Sequence, residues 1–143
     1  TAQDAACEKR TAEEERIMSD VYAGVNIKQL LAKVEAELKR RGIHADAVNG
    51  FRSFSEQSRL YAQGRTQPGP KVTNAKAGQS PHNYGYAMDY IPVVNGKRTY
   101  SVSKWWWFKF GLAAWAAGLT WGGSWKRFLD RPHVELPGWK RLT

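Results

Sequence analysis

Cysteine is almost absent: Cys7 is the only one in 143 residues. No intrachain disulfide can form, and no cysteine-based metal knuckle exists. A lone thiol fits synthesis in a reducing compartment. Long hydrophobic runs are missing too. The most apolar stretch, Trp105 to Leu119, contains Lys109 and is too short to cross a bilayer. The first sixteen residues hold no apolar stretch behind a basic end, so no leader is visible, though a chain opening on Thr1 is compatible with a removed one. No repeat and no low-complexity tract appears, which excludes collagen and coiled-coil classes. Histidine is scarce, with three in all, and acids are scarce beyond residue 20.

What is present describes a small globular domain. Hydrophobic residues make up 42% and charged residues 24%, which sets the chain apart from disordered sequences. Its length suits one core. Residues 1–20 carry six acids and three bases, net −3, while residues 21–143 carry seven acids and nineteen bases, net +12. A body this basic attracts polyanions, either nucleic acid or an anionic envelope or wall polymer, and also favours solubility. A basic nucleic-acid-binding domain is therefore a rival reading. Against it, no helix clusters Lys and Arg and no recognition motif is present.

Periodicity predicts a polar helix within residues 4–22 and a better one from Asn26 to Arg41. In the latter, Leu30, Leu31, Val34 and Leu38 recur at helical spacing before Gly42. A short strand is expected from His44 to Phe51, with Ala45, Ala47 and Phe51 on one side. A helix follows over Ser55–Gln63, with Ser53 and Glu56 spaced as a reciprocal cap. Gly64 to Gln79 reads as a long irregular loop of the kind that often carries function. Strand character returns from Tyr86 to Val94, and Asn95-Gly96 signals a hairpin turn. Val102 to Gly118 reads as a helix, with Trp105, Phe108, Leu112 and Trp115 stacked along one face and Trp106, Phe110, Ala113 and Ala117 broadening it. His133 to Leu136 is a last strand. The fold class is α+β, a small single domain with helices packed on a small, mainly antiparallel sheet. Residues 1–25 form an N-terminal segment and residues 26–143 the main domain.

Seven tryptophans are many for this length. Trp105, Trp106 and Trp115 fall in a helical pattern, where core packing is the default. Trp121 and Trp125 flank Gly122-Gly123 in a loop, and could wall a cleft or bind a sugar or peptide.

Two of the three histidines keep unusual company. His82 lies in Ser80-Pro-His82-Asn-Tyr-Gly85-Tyr-Ala87-Met-Asp89, and His133 in Asp130-Arg-Pro-His133-Val-Glu135. Two imidazoles and a carboxylate are a common protein contribution to a catalytic zinc site with one open position. His82, His133 and Asp89 can supply that set, and such a zinc would acidify water and polarise a carbonyl. A further carboxylate is needed to move protons, and Asp130 and Glu135 compete for that role. The helical His-Glu-x-x-His arrangement is absent. Gly85 and Ala87 share Asp89's strand face and leave room beside it. The bland reading makes both histidines hydrogen bonders in turns. His44, with only Asp46 nearby, is read as non-catalytic.

Ser80-x-His82-x-x-Gly85-x-Ala87-x-Asp89, followed by Trp121-Gly-Gly-x-Trp125 and Asp130-x-Pro-His133-x-Glu135, resembles the zinc peptidases of the peptidase M15 (VanY/LAS) superfamily. The stretches Gly50 to Thr66 and Val72 to Gly78 resemble its L-alanyl-D-glutamate peptidase branch, which includes phage endolysins. The likeness covers about residues 26–138.

The resemblance implies a LAS/Hedgehog-like zinc peptidase fold, one catalytic Zn2+ held by His82, Asp89 and His133, and Asp130 as general base and then general acid. Some family members have Glu where this chain has Asp130. Arg52 and Gln57 match positions that help hold substrate. Ser80 matches a serine beside the first ligand, and Glu135 matches the family's His-x-Glu ending. The implied activity is hydrolysis of the L-Ala–D-Glu bond in peptidoglycan stem peptides, as in an endolysin serving host lysis. Such a protein, a monomer without a membrane span, would wait in the host cytoplasm until the membrane is permeabilised and then reach the periplasm and wall. Its basic body would contact anionic envelope polymers. Within the superfamily the rival activity is D-Ala-D-Ala carboxypeptidase or dipeptidase; a zinc-binding structural protein without turnover is a third reading.

Overall fold

The computed structural model describes residues 27–143. The polar helix expected within residues 4–22, and the N-terminal segment as a whole, lie outside the described residues. Helix α1 spans Ile27–Arg40, strand β1 His44–Asn49, helix α2 Phe54–Ala62 and strand β2 Ala87–Val94. Strand β3 is Lys97–Arg98, helix α3 Lys104–Ala116, strand β4 Thr120–Trp121 and strand β5 His133–Glu135. Short 3-10 turns occupy Pro81–Tyr84, Gly122–Ser124 and Trp139–Leu142.

Local chemistry accounts for most boundaries. α1 ends where Gly42 takes the left-handed conformation and its amide bonds back to the Lys39 carbonyl. Ser53 caps α2 by accepting from the Glu56 amide at 3.1 Å. The expected reciprocal half of that cap is absent, because the Glu56 carboxylate pairs with Arg59 instead. Asn95 and Gly96 both have positive φ, as a tight hairpin between β2 and β3 requires.

The strands form an antiparallel sheet in the order β1-β2-β5-β4, with β3 paired to β2. α1 and α3 cover one face. Val34 and Leu38 from α1, Ala45 from β1, Tyr90 from β2, Phe110, Ala113 and Ala114 from α3, and Val134 from β5 make the core. Alternation along the strands then turns Asp89 and His133, the neighbours of Tyr90 and Val134, to the opposite face. β1 stops at Asn49, short of the expected Phe51. Ala47 is exposed and the register shifts between Ala47 and Asn49, so the expected Ala45–Ala47–Phe51 face is not formed.

The expected packing face of α3 is also corrected. Trp105, Phe108, Leu112 and Trp115 lie outside, with Trp105 64% and Trp115 76% exposed. The buried arc is Trp107, Phe110, Gly111, Ala113 and Ala114, continued by Ala117. Trp106 is partly buried against the core, so the core reading holds for it and fails for Trp105 and Trp115. Small side chains let the helix approach the sheet closely, and close packing outweighs the larger aromatic surface on the other side. No helix among the described residues is long and apolar enough to cross a membrane.

Candidate metal centre

Strand register builds half of the centre. β2 and β5 pair Asp89 with His133 and Ala87 with Glu135, so these four side chains share the sheet face opposite the helices. The remaining donor comes from the turn Pro81–Tyr84. Ser80 caps this turn, its hydroxyl accepting from the His82 amide at 3.3 Å. Asn83 completes a reciprocal cap and is buried, accepting from the Gly78 and Ser80 amides and donating to the Arg52 carbonyl. Gly85 closes the turn in the left-handed conformation. His82 Nδ1 donates to the Gly50 carbonyl at 2.8 Å, which leaves Nε2 free to face Asp89.

His82 Nε2 stands 3.3 Å and His133 Nδ1 3.0 Å from Asp89 Oδ1. One donor atom from each of His82, Asp89 and His133 lies within 4.8 Å of the other two. Ligands on a tetrahedral zinc with bonds of about 2.0–2.2 Å lie about 3.3 Å apart, the spacing that both histidine nitrogens keep from Asp89 Oδ1, so two imidazoles and a carboxylate converge as such an ion requires. His133 Nε2 lies 2.8 Å from Glu135 Oε1, an outer carboxylate that fixes the ring and leaves Nδ1 for a metal.

Burial works against charge on Asp89, but hydrogen bonds from His133 and His82 outweigh it and hold its carboxyl well below the usual range. Burial likewise opposes a charged His133, yet its bonds to Asp89 and Glu135 push its pKa up to about 9. The site thus gathers negative charge that favours a cation, and a metal competes with a proton for His133 Nδ1. Asp130 differs. Burial pushes its pKa up, opposed by His133 and reinforced by Asp89. Among the described residues its carboxylate accepts no hydrogen bond, which leaves it free for proton transfer.

The Trp-Gly-Gly segment holds Asp130 in place. The Asp130 amide donates to the Gly122 carbonyl at 3.0 Å, and Trp121 Nε1 donates to the Arg131 carbonyl at 2.7 Å. The Trp121 ring is clamped between Gly111 of α3 and Gly123, where an added Cβ would come within 2.2 and 2.0 Å of it. Trp121 is therefore a pin behind the loop. Trp125 does wall the cleft, its ring 5.3 Å from that of His133. Gly123→Ala is expected to displace Trp121 and Asp130, lowering kcat about a hundredfold while zinc content stays normal. Unchanged kcat would contradict the pin.

The donors open into a cleft of about 1350 Å³ that also exposes Arg52, Asp130 and Glu135. Gln57 is fully buried, and its amide accepts from Arg52 Nη1 at 2.9 Å and donates to the Ala75 carbonyl at 2.7 Å. Of the roles open to Gln57, this geometry suits holding Arg52 rather than touching substrate. The 64–79 loop is stapled by Arg65, which donates to the Tyr61 and Thr73 carbonyls and stacks on the Tyr61 ring at 3.9 Å. His44 sits apart on β1, bonded to Asp46. Sequence reading missed Asn83 and Gly111. The Ser80-x-x-Asn83 spacing and a glycine inside a helical pattern were the available signals. The Gly50 carbonyl carries no side-chain signal at all.

Comparison with known proteins agrees with this geometry. A peptidase M15 family model, described as D-alanyl-D-alanine carboxypeptidase, matches residues 73–136, a span holding the three donors, Asp130 and Glu135. Over 118 residues the chain is 39% identical to the peptidoglycan L-alanyl-D-glutamate endopeptidase CwlK of Bacillus subtilis (strain 168), covering 77% of this chain and 71% of the relative. The chain belongs to the peptidase M15 family. Its fold matches the L-Ala D-Glu endopeptidase ChiX of Serratia marcescens with a TM-score of 0.64 at 20% identity, over 88% of this chain and 90% of that one. It also matches the D,D-pentapeptidase VanY in complex with Zn(II), as its E175A mutant, with a TM-score of 0.56 at 14% identity, over 82% and 74%. This M15 chain is thus a homologue of L-alanyl-D-glutamate endopeptidases with a candidate zinc site at His82, Asp89 and His133.

In an M15 centre of this form, Glu135→Gln is expected to weaken zinc binding about 10–100-fold, measured by competition with a chromophoric chelator. Normal affinity with abolished turnover would instead make Glu135 the proton-transfer group.

Proposed function

We propose that this chain is a zinc endopeptidase cutting the L-Ala–D-Glu bond of peptidoglycan stem peptides. The observation that carries the reading is one cleft holding three converging donors and a fourth carboxylate, Asp130, that accepts no hydrogen bond among the described residues. The likeness to CwlK supports the choice of bond. The cleft also exceeds the about 300–1,000 Å³ usual for small-molecule pockets, which suits a segment of polymer.

His82, Asp89 and His133 would hold the ion. Zinc, when bound, supplies a polarised carbonyl and a water acidified toward neutrality. Asp130 takes a proton from the attacking water and returns it to the leaving nitrogen, a task that its raised pKa assists. Arg52, steadied by Gln57, presents a planar fork to a substrate carboxylate. Trp125 closes one side against water and orients the peptide. The enzyme acts in lysis of a bacterial host, held in the host cytoplasm until the membrane fails and then working on the wall.

A D-Ala-D-Ala carboxypeptidase is the second reading, favoured by the description of the matching family model. The two separate on a stem pentapeptide whose C-terminus is blocked as an amide. An internal cut at L-Ala–D-Glu needs no free terminal carboxylate, so the blocked peptide is hydrolysed; resistance of the blocked peptide, with release of D-Ala from the free one, would overturn the proposal.

A further inference from the structure

The outer side of α3 takes no part in the centre. Trp105, Phe108, Leu112 and Trp115 form one continuous exposed stripe along it, and the Trp105 and Phe108 rings stack 5.3 Å apart. Helical geometry puts Lys104 on one edge of this stripe and Lys109 on the other. No Asp or Glu occurs between Asp89 and Asp130, a stretch with six Lys and Arg. Contiguous exposed aromatic surface of this kind marks an interaction site.

We propose that this stripe docks the protein on an anionic lipid bilayer. Trp, Phe and Leu on one face with lysines at its rim are the composition of a helix lying in a membrane interface. The lysine stems can run along the apolar surface while their ammonium groups reach lipid phosphates. Charge selects this occupant over a second copy of the chain, since self-association would set one positive rim against another. It also selects a bilayer over a soluble polyanion, which would need the cations without four bulky apolar groups. Because α3 covers the sheet face opposite Asp89 and His133, docking leaves the cleft open on the far side.

The test uses the full chain with vesicles of phosphatidylcholine alone or mixed with phosphatidylglycerol, read by co-sedimentation and tryptophan emission. The expected result is binding to the mixed vesicles, with a blue-shifted emission, that weakens as salt rises. Trp105→Ser/Trp115→Ser lowers partitioning about tenfold or more. Lys104→Gln/Lys109→Gln lowers it about fivefold per lysine and flattens the salt dependence. Both variants keep hydrolysis of a soluble stem peptide, which confirms that they fold. Equal binding to both vesicles, variants that bind like the native chain, or a native chain that ignores the mixed vesicles would overturn the proposal. So would a dimer in sedimentation that Trp105→Ser/Trp115→Ser dissolves.

Discussion

Asp130→Ala is expected to lower turnover of a stem peptide by about 10²–10⁴-fold while zinc remains bound in full. The carboxylate belongs to none of the three donor positions, yet it shares their cleft and accepts no hydrogen bond among the described residues. Burial raises its pKa, which suits a group that must both take and return a proton. Its backbone is fixed through Gly122 and Trp121, so truncating the side chain removes the carboxylate without freeing the loop. Metal analysis beside steady-state kinetics checks both halves. Retained hydrolysis with normal zinc content would move the proton-transfer role to Glu135; loss of zinc would make Asp130 a ligand.

His82→Ala should have a larger effect by a different route. It removes one of three donors and leaves Asp89 and His133, a pair unable to hold a catalytic ion against dialysis. Turnover falls to background, because the polarisation that the ion supplies is worth several kcal/mol at the transition state. A thermal readout separates this from simple misfolding. At free zinc a thousandfold above Kd, binding stabilises the native chain by about 4.1 kcal/mol, while the variant gains nothing from added zinc. Equal zinc-induced stabilisation of both proteins would place the ion elsewhere.

The donor set was legible because each donor sits in a short motif whose geometry is local. Ser80 and Gly85 bracket the turn bearing His82, and period-two spacing puts Ala87 beside Asp89 and His133 beside Glu135. The sheet order that brings β2 against β5 is a long-range fact, and only the pattern of whole motifs hinted at it. α3 was misread for a physical reason. Apolar residues surround nearly the whole helix, so amphipathic phase could not choose a face, and the choice fell to Gly111, Ala113, Ala114 and Ala117, which permit close approach. The pinning of Trp121 is invisible to local pattern because two of its partners, Gly111 and the Arg131 carbonyl, are ten residues away on either side. Gln57 is a candidate from its motif, but its burial and its hydrogen bond from Arg52 follow from tertiary packing alone.

Mass spectrometry of purified Gram-negative peptidoglycan, digested by the zinc-loaded chain with and without a chelator, tests the central claim most directly. New amino-terminal D-Glu on the released peptides, lost on chelation and restored by added zinc, is the predicted result. Intact stem peptides after digestion by the metal-loaded protein, or release of terminal D-Ala alone, would contradict it.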